Sequence, residues 1–176
     1  MAFLKPEEIA KKLPLEEGLI VADFGSGVGS FTVPVAKRVG ASGHVYAVEI
    51  NKELVGAVKA AASREKLSNV EVIWGDIEAP NGTRLSDSSV GLVILANVLF
   101  QVENKEGVLK EVTRILKTRG YALVLDWKES FGGLGPKQGD VVSEGDARKL
   151  FLNSGFSLYN EIEAGEYHYA LLFQKF

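Results

Sequence analysis

The sequence predicts an α/β fold with a doubly wound, seven-stranded sheet, mostly parallel, whose last strand runs antiparallel. Three observations predict it. Short apolar runs alternate with helical patterns along most of the chain, the signature of repeated βα units. One run, Val90–Ala96, is almost continuously apolar, as a central parallel strand buried on both faces must be. Only a short Ala164–Gly165 turn separates the last two runs, which admits a hairpin but no crossover helix.

A first helix is expected over Pro6–Leu13, with proline and two glutamates in its first turn and lysines near its end. Leu19–Phe24 reads as the first buried strand, ended by the glycine cluster Gly25–Gly29. A helix should run from about Ser30 to Val39, with Pro34 in or next to its first turn, where a missing N–H costs least. His44–Ile50 is the second strand, and Lys52–Lys66 a helix with Leu54, Val55, Val58 and Ala62 on one face. Val70–Trp74 and Val90–Ala96 are the third and fourth strands. The helix over Lys105–Lys117 carries Val108, Leu109, Val112, Ile115 and Leu116 as one stripe, and Gly120 suits the position just past its end. Tyr121–Asp126 is the fifth strand. Ser130–Gly139, with four glycines and a proline, is too flexible for regular structure. Ser143 and Asp146 mark a helix start and Gly155 its stop, before strands at Leu158–Glu163 and Tyr167–Phe173. These elements amount to five βα units closing in a β-α-β-β arrangement, within a single domain over residues 1–176.

Composition excludes several function classes. At 176 residues the chain can bury a proper core, and no segment reaches the apolar length that spans a bilayer. The N-terminal MAFLKPEEIAKKL lacks the basic-then-apolar order of a secretory signal. Without cysteines there are no disulfides and no thiolate catalysis; two histidines, His44 and His168, cannot build a histidine-rich site, so no metal is expected. A net charge of −3 with scattered basic residues offers no footprint for DNA or an anionic membrane. A cytoplasmic protein acting on something small or locally recognised is expected.

Asp23, Glu49 and Asp76 stand at the carboxyl ends of the first three strands, about one βα unit apart. Ligands of open parallel sheets bind outside those ends, so one ligand lying across the edge would meet all three carboxylates in turn. Around Gly25, Ser26 and Gly27 the chain reads D-x-G-x-G-x-G from Asp23, not the dinucleotide fingerprint, whose last position falls on Ser30. Glycines there let backbone bend tightly and approach a ligand. An acid two residues before them repels a pyrophosphate and welcomes an ammonium. Glu49 can accept from two adjacent hydroxyls, which suits a ribose diol, and Asp76 can accept from an exocyclic amine such as that of adenine. Either acid alone would read as a solvated strand end; in phase they favour binding. Amine, ribose and adenine are the polar handles of S-adenosylmethionine.

The sequence resembles the class I S-adenosylmethionine-dependent methyltransferases, with their Rossmann-like sheet, and particularly the broad group near the ubiquinone/menaquinone-biosynthesis methyltransferases. VADFGSGVG resembles that family's first motif, AVEI its ribose motif and GDI its adenine motif. LANVLFQV, residues 95–102, resembles the motif after the fourth strand, and the helix from Lys105 ahead of GYALVLDW the next one. The resemblance implies S-adenosylmethionine as cofactor and S-adenosylhomocysteine as product. It sets the backbone of Gly25, Ser26 and Gly27 under the cofactor and lets Asp23 orient its amino-acid end. Glu49 would hold the ribose, Ile50 and Ile77 would sandwich the adenine, Asp76 would take its amine, and Asn97 would lie beside the sulfonium. Asn97-Val98-Leu99-Phe100 departs from the N/D-P-P-Y/F of families that grip a planar NH₂, which argues against such acceptors.

Methyl transfer needs a base only when the acceptor must lose a proton. Asp126, ending the fifth strand, and His168, starting the antiparallel seventh, fall on the ligand edge and are the two candidates. A methyltransferase acting on a small-molecule or protein acceptor is expected, with a homodimer as one way to complete a thinly covered pocket and residues 130–139 as a mobile lid. The runner-up is a non-catalytic S-adenosylmethionine-binding regulatory subunit. An NAD-dependent oxidoreductase is disfavoured by Asp23 and the glycine spacing.

Overall fold

The structure, a computed structural model, describes residues 4–176, so the first three residues of the N-terminal segment read above lie outside it. Its elements are α1 (Pro6–Lys12), β1 (Ile20–Phe24), α2 (Thr32–Val39), β2 (His44–Glu49), α3 (Lys52–Arg64), β3 (Val70–Trp74), β4 (Val90–Ala96), α4 (Lys105–Ile115), β5 (Leu116–Trp127), α5 (Glu144–Leu152), β6 (Phe156–Glu161) and β7 (His168–Lys175). The seven strands lie in the order β3-β2-β1-β4-β5-β7-β6. Neighbours among β1 to β5 are parallel, whereas β7 runs antiparallel to both β5 and β6. The doubly wound sheet with an antiparallel last strand is the predicted one. Strand order reverses between β1 and β4, so a crevice is expected outside their carboxyl ends.

Strand alternation builds a core on each face of the sheet. Phe24, Val93, Leu95 and Val124 pack with Val108, Val112 and Phe151 of α4 and α5. Val21, Ile94, Leu123 and Leu125 pack on the other face with Ile9 of α1 and with Val35 and Val39 of α2. On α3 only Val58 and Ala62 of the expected stripe are fully buried, because α3 lies against β2 and β3 at the margin of the sheet. Ser143 caps α5 by accepting from Asp146 N, and Gly155 beyond it has φ of +85°, as expected of a start and a stop.

Two expectations are corrected. First, α4 ends at Ile115, and Leu116 already belongs to β5, paired with Val90. Ser88 N and Ser89 N donate to the carbonyls of Arg114 and Ile115, so the chain leaves the helix by zipping onto the strand entry. Gly120 is therefore a strand residue and not the helix stop. A Cβ on it would lie 3.1 Å from the Gly91 carbonyl, a close approach that glycine permits. Second, β3 is not followed by a helix, so the run of βα units is interrupted there. Residues 75–89 form turns that bury Ile77 and Leu85 in the core instead. Ser130–Gly139 has no helix or strand, although Phe131 and Leu134 exchange backbone hydrogen bonds of 3.3 and 3.2 Å.

Candidate active site

The turn after β1 is built on glycine because the backbone requires it. Gly25 and Gly27 have φ of +64° and +58°, a region costly to residues with a Cβ. At Gly25 that Cβ would also lie 2.8 Å from Cγ2 of Val98. Gly25 N and Ser26 N both donate to the Val48 carbonyl, at 2.9 and 3.2 Å, which pins the turn to the end of β2.

Glu49 completes that pinning. Its Oε2 accepts from Gly27 N and its Oε1 from Asn51 N, both at 2.9 Å, so one carboxylate joins the glycine turn to the start of α3. Both oxygens keep a second lone pair for a ligand hydroxyl. Asp76 is oriented by its neighbour, accepting from Glu78 N at 2.9 Å.

Behind them, Asp23 is 2 % exposed, and its Oδ2 accepts from Thr32 Oγ1 at 2.6 Å. Burial pushes its carboxyl up to about 7, against the Thr32 hydrogen bond and with help from the charge of Glu49. A cation brought close would reverse that cause and favour the ionised form.

Six of the predicted residues line one cleft of about 240 Å³: Gly25, Gly27, Glu49, Ile50, Asp76 and Ile77. Ile77 is buried and Ile50 is exposed, so they offer an inner and an outer apolar surface. Asp23, Ser26 and Asn97 do not line it. Ser26 Oγ and Asn97 Oδ1 are nevertheless buried without a hydrogen-bond partner among the described residues. Asn97 has φ of +58° and is held by its N–H on the Leu125 carbonyl at 2.8 Å. Sequence reading missed Leu54, Val98 and Gln101, which also line the cleft. Leu54 carried only a helical-face signal, and Val98 and Gln101 sit in a recognised motif without a side-chain pattern of their own.

The other two candidates lie at the β5–β7 end of the edge. Asp126 is buried; its Oδ2 accepts from Leu99 N at 2.9 Å and its Oδ1 from Trp127 N at 2.8 Å. Burial pushes it up to about 6, while the N–H groups of Trp127, Phe100 and Leu99 pull the other way. With both oxygens engaged, Asp126 fastens the segment after β4 to β5. His168 is 6 % exposed, and neither ring nitrogen has a partner among the described residues. Its ring lies 4.3 Å from that of Trp127. Burial, and then the charge of Lys128, lowers its pKa, which keeps the imidazole neutral at pH 7.

The donor set fits S-adenosylmethionine. Among the described residues the cleft holds the carboxylates of Glu49, Asp76 and Glu78 and no Lys, Arg or His, a setting hostile to a pyrophosphate and open to a cation bearing hydroxyls and an amine. A Cβ on Gly27 would meet nothing nearer than the Gly25 carbonyl at 4.0 Å, so the turn leaves open space beside its backbone.

Comparison with known proteins agrees. Residues 15–148 match the family model of a methyltransferase domain. The chain is 28 % identical over 165 residues to the ubiquinone/menaquinone biosynthesis C-methyltransferase UbiE of Hydrogenovibrio crunogenus, a match covering 85 % of this chain and 63 % of that protein. It is 29 % identical over 121 residues to the arsenite methyltransferase of Halobacterium salinarum, covering 69 % of this chain and 29 % of the relative. The chain thus spans under two thirds of the length of these relatives. Among solved structures, a SAM dependent methyltransferase from Aquifex aeolicus superposes with a TM-score of 0.88 at 27 % identity, covering 98 % of this chain and 90 % of that one.

Proposed function

This chain belongs to the S-adenosylmethionine-dependent methyltransferases, and we propose that it acts as one catalytic domain that methylates a small-molecule acceptor. The observation that carries the proposal is the acid-lined, cation-free cleft in which Glu49 ties the glycine turn to the second strand. S-adenosylmethionine, when bound, supplies an electrophilic methyl group on a sulfonium. The chain's part is to hold, orient and shield. Glu49 takes the ribose hydroxyls, Asp76 the adenine amine on its free oxygen, and Ile50 and Ile77 the faces of the base. Backbone at Gly25, Ser26 and Gly27 gives clearance, while Asp23 sets a buried negative charge toward the amino-acid end. Ser26 Oγ and Asn97 Oδ1, both lacking partners among the described residues, are available to polar atoms of the cofactor or to a water.

On the acceptor side Asp126 positions backbone, and neutral His168 is the group free to take a proton. Residues 130–139 approach this side at Gly135, which is so close to the Trp127 ring that a Cβ would lie 2.6 Å from it. A small acceptor is favoured because the named relatives act in quinone biosynthesis and on arsenite. DNA is disfavoured by the net charge of −3. A cytoplasmic location and a homodimer closing the acceptor side complete the proposal; among the described residues no helix is long and apolar enough to cross a membrane.

The test is production of S-adenosylhomocysteine from S-adenosylmethionine with low-molecular-weight and macromolecular fractions of a cell extract. Turnover confined to the former is expected. Turnover with proteins alone would overturn the acceptor class, and none with either fraction would overturn the activity.

A further inference from the structure

The segment that replaces a helix between β3 and β4 carries Asp76 and Ile77, and short turns shape it: Gly82 N donates to the Ala79 carbonyl at 3.0 Å and Arg84 N to the Asn81 carbonyl at 3.1 Å. It is folded tightly on itself: a Cβ on Gly82 would overlap the Asp76 carbonyl, and one on Gly75 would come within 2.6 Å of the Gly82 carbonyl. Gly75 N ties the start of the segment to the Glu49 carbonyl at 3.1 Å, and further anchors lie on or just ahead of α4. Glu78 Oε2 accepts from Asn104 N at 2.6 Å, and Gly107 approaches so closely that a Cβ would lie 2.5 Å from the Glu78 carbonyl. Glu111 accepts from Asn81 N and Thr83 N, both at 3.2 Å, and from the Thr83 hydroxyl. Arg114 grips Glu111 through Nε at 2.9 Å and Nη2 at 2.7 Å, and reaches past it to the Leu85 carbonyl at 2.7 Å and Asp87 Oδ1 at 2.6 Å.

Glu111 is 2 % exposed. A carboxylate is seldom buried unless its partners repay the lost hydration, and here a forked guanidinium, a hydroxyl and two backbone N–H groups do so. Those N–H groups belong to turns that no helix or strand satisfies. Gln101 and Val102, which lead into α4, line the same cleft as Asp76 and Ile77.

We propose that the Glu111–Arg114 pair positions the adenine end of the cofactor site by clamping the β3–β4 segment to α4. This rests on the cofactor reading above. Both residues act through Asp76 and Ile77 and touch no ligand themselves.

The test compares wild type, Glu111→Gln and Arg114→Lys in binding S-adenosylhomocysteine and S-ribosylhomocysteine, which keeps the amino acid and sugar but lacks the base. Calorimetry reads the first ligand and ligand-observed NMR the weaker second. Glu111→Gln should lose about tenfold in affinity for S-adenosylhomocysteine, the scale of one withdrawn charge-assisted hydrogen bond. Arg114→Lys should lose less, and binding of the base-free ligand should stay within about twofold, since its contacts lie elsewhere. Amide exchange at Asn81 and Thr83 should quicken in both variants. Equal losses for the two ligands would mark a merely structural pair and overturn the proposal, as would unchanged affinity for S-adenosylhomocysteine. If Glu111→Gln does not fold, Arg114→Lys, which keeps the charge, decides between the same outcomes. A wild type that does not bind S-adenosylhomocysteine would overturn the cofactor reading and the positioning role with it.

Discussion

The two ends of the sheet's carboxyl edge are built differently. At the β1–β3 end, side-chain carboxylates accept from backbone: Glu49 from Gly27 and Asn51, Asp76 from Glu78, Glu111 from Asn81 and Thr83. At the β5–β7 end Asp126 accepts from Leu99 and Trp127 in the same way, but rings that lie against rings are added: Trp127 beside His168 at 4.3 Å, Phe131 against Tyr167 at 4.7 Å. Carboxylate–amide anchoring fixes backbone to a narrow geometry, as suits a ligand of constant shape. Aromatic packing is less directional and leaves the His168 nitrogens without partners among the described residues. The difference supports the proposal that the first end takes the cofactor and the second the acceptor.

The sharpest way to break this contrast is Gly25→Val. It forces a branched side chain into a left-handed backbone and drives Cβ toward Val98, so affinity for S-adenosylhomocysteine should fall at least about 100-fold by calorimetry, about 3 kcal/mol. Retained binding would mean that the glycine turn does not border the cofactor.

Asp23 gives a pH signature. Its folded pKa is raised to about 7, so the folded chain holds a proton that the unfolded chain gives up near pH 4. Stability from this group is therefore present at low pH and lost as pH rises through that window. Urea midpoints should fall less steeply with pH in Asp23→Asn; Asp126, raised to about 6, adds a fall of the same sign that the substitution leaves in place. Affinity of the wild type for S-adenosylhomocysteine should also rise across pH 7, as Asp23 ionises toward the ammonium, and the Asn variant should be flat. A pH-independent wild type would remove Asp23 from the site.

Asp126→Asn should destabilise by about 1–2 kcal/mol, since an amide offers one acceptor oxygen where two N–H groups need them. Turnover should fall and affinity for S-adenosylhomocysteine should fall with it, because the loosened segment carries Val98 and Gln101 of the cleft. The smallest effect is expected of His168→Phe: unchanged cofactor affinity, and stability equal to or about 1 kcal/mol above wild type, from removal of two unpartnered polar atoms. Loss of turnover in that variant would assign His168 to the acceptor; loss of cofactor affinity would erase the contrast between the two ends.

Much of this was legible in the chain. β3 and β4 run where their apolar patterns begin and end, and the glycine turn with Glu49 and Asp76 points to the cleft, because these are local signals read at fixed strand ends. The start of β5 was hidden because Leu116 continues the apolar stripe of α4, and only its pairing with Val90 moves it into the sheet. Val98 and Gln101 reach the cleft through the tertiary approach of the segment after β4. Glu111 looked like one more charged helix residue; its burial follows from a missing helix, which composition does not reveal.

Glu49 joins the glycine turn, the second strand and the cleft, so calorimetry of S-adenosylhomocysteine binding to wild type and Glu49→Ala tests the account most directly. A loss of about 30-fold or more, near 2 kcal/mol, is predicted, the scale of hydrogen bonds withdrawn from a charged acceptor. Affinity within about twofold of wild type, a difference smaller than one such bond, would contradict it.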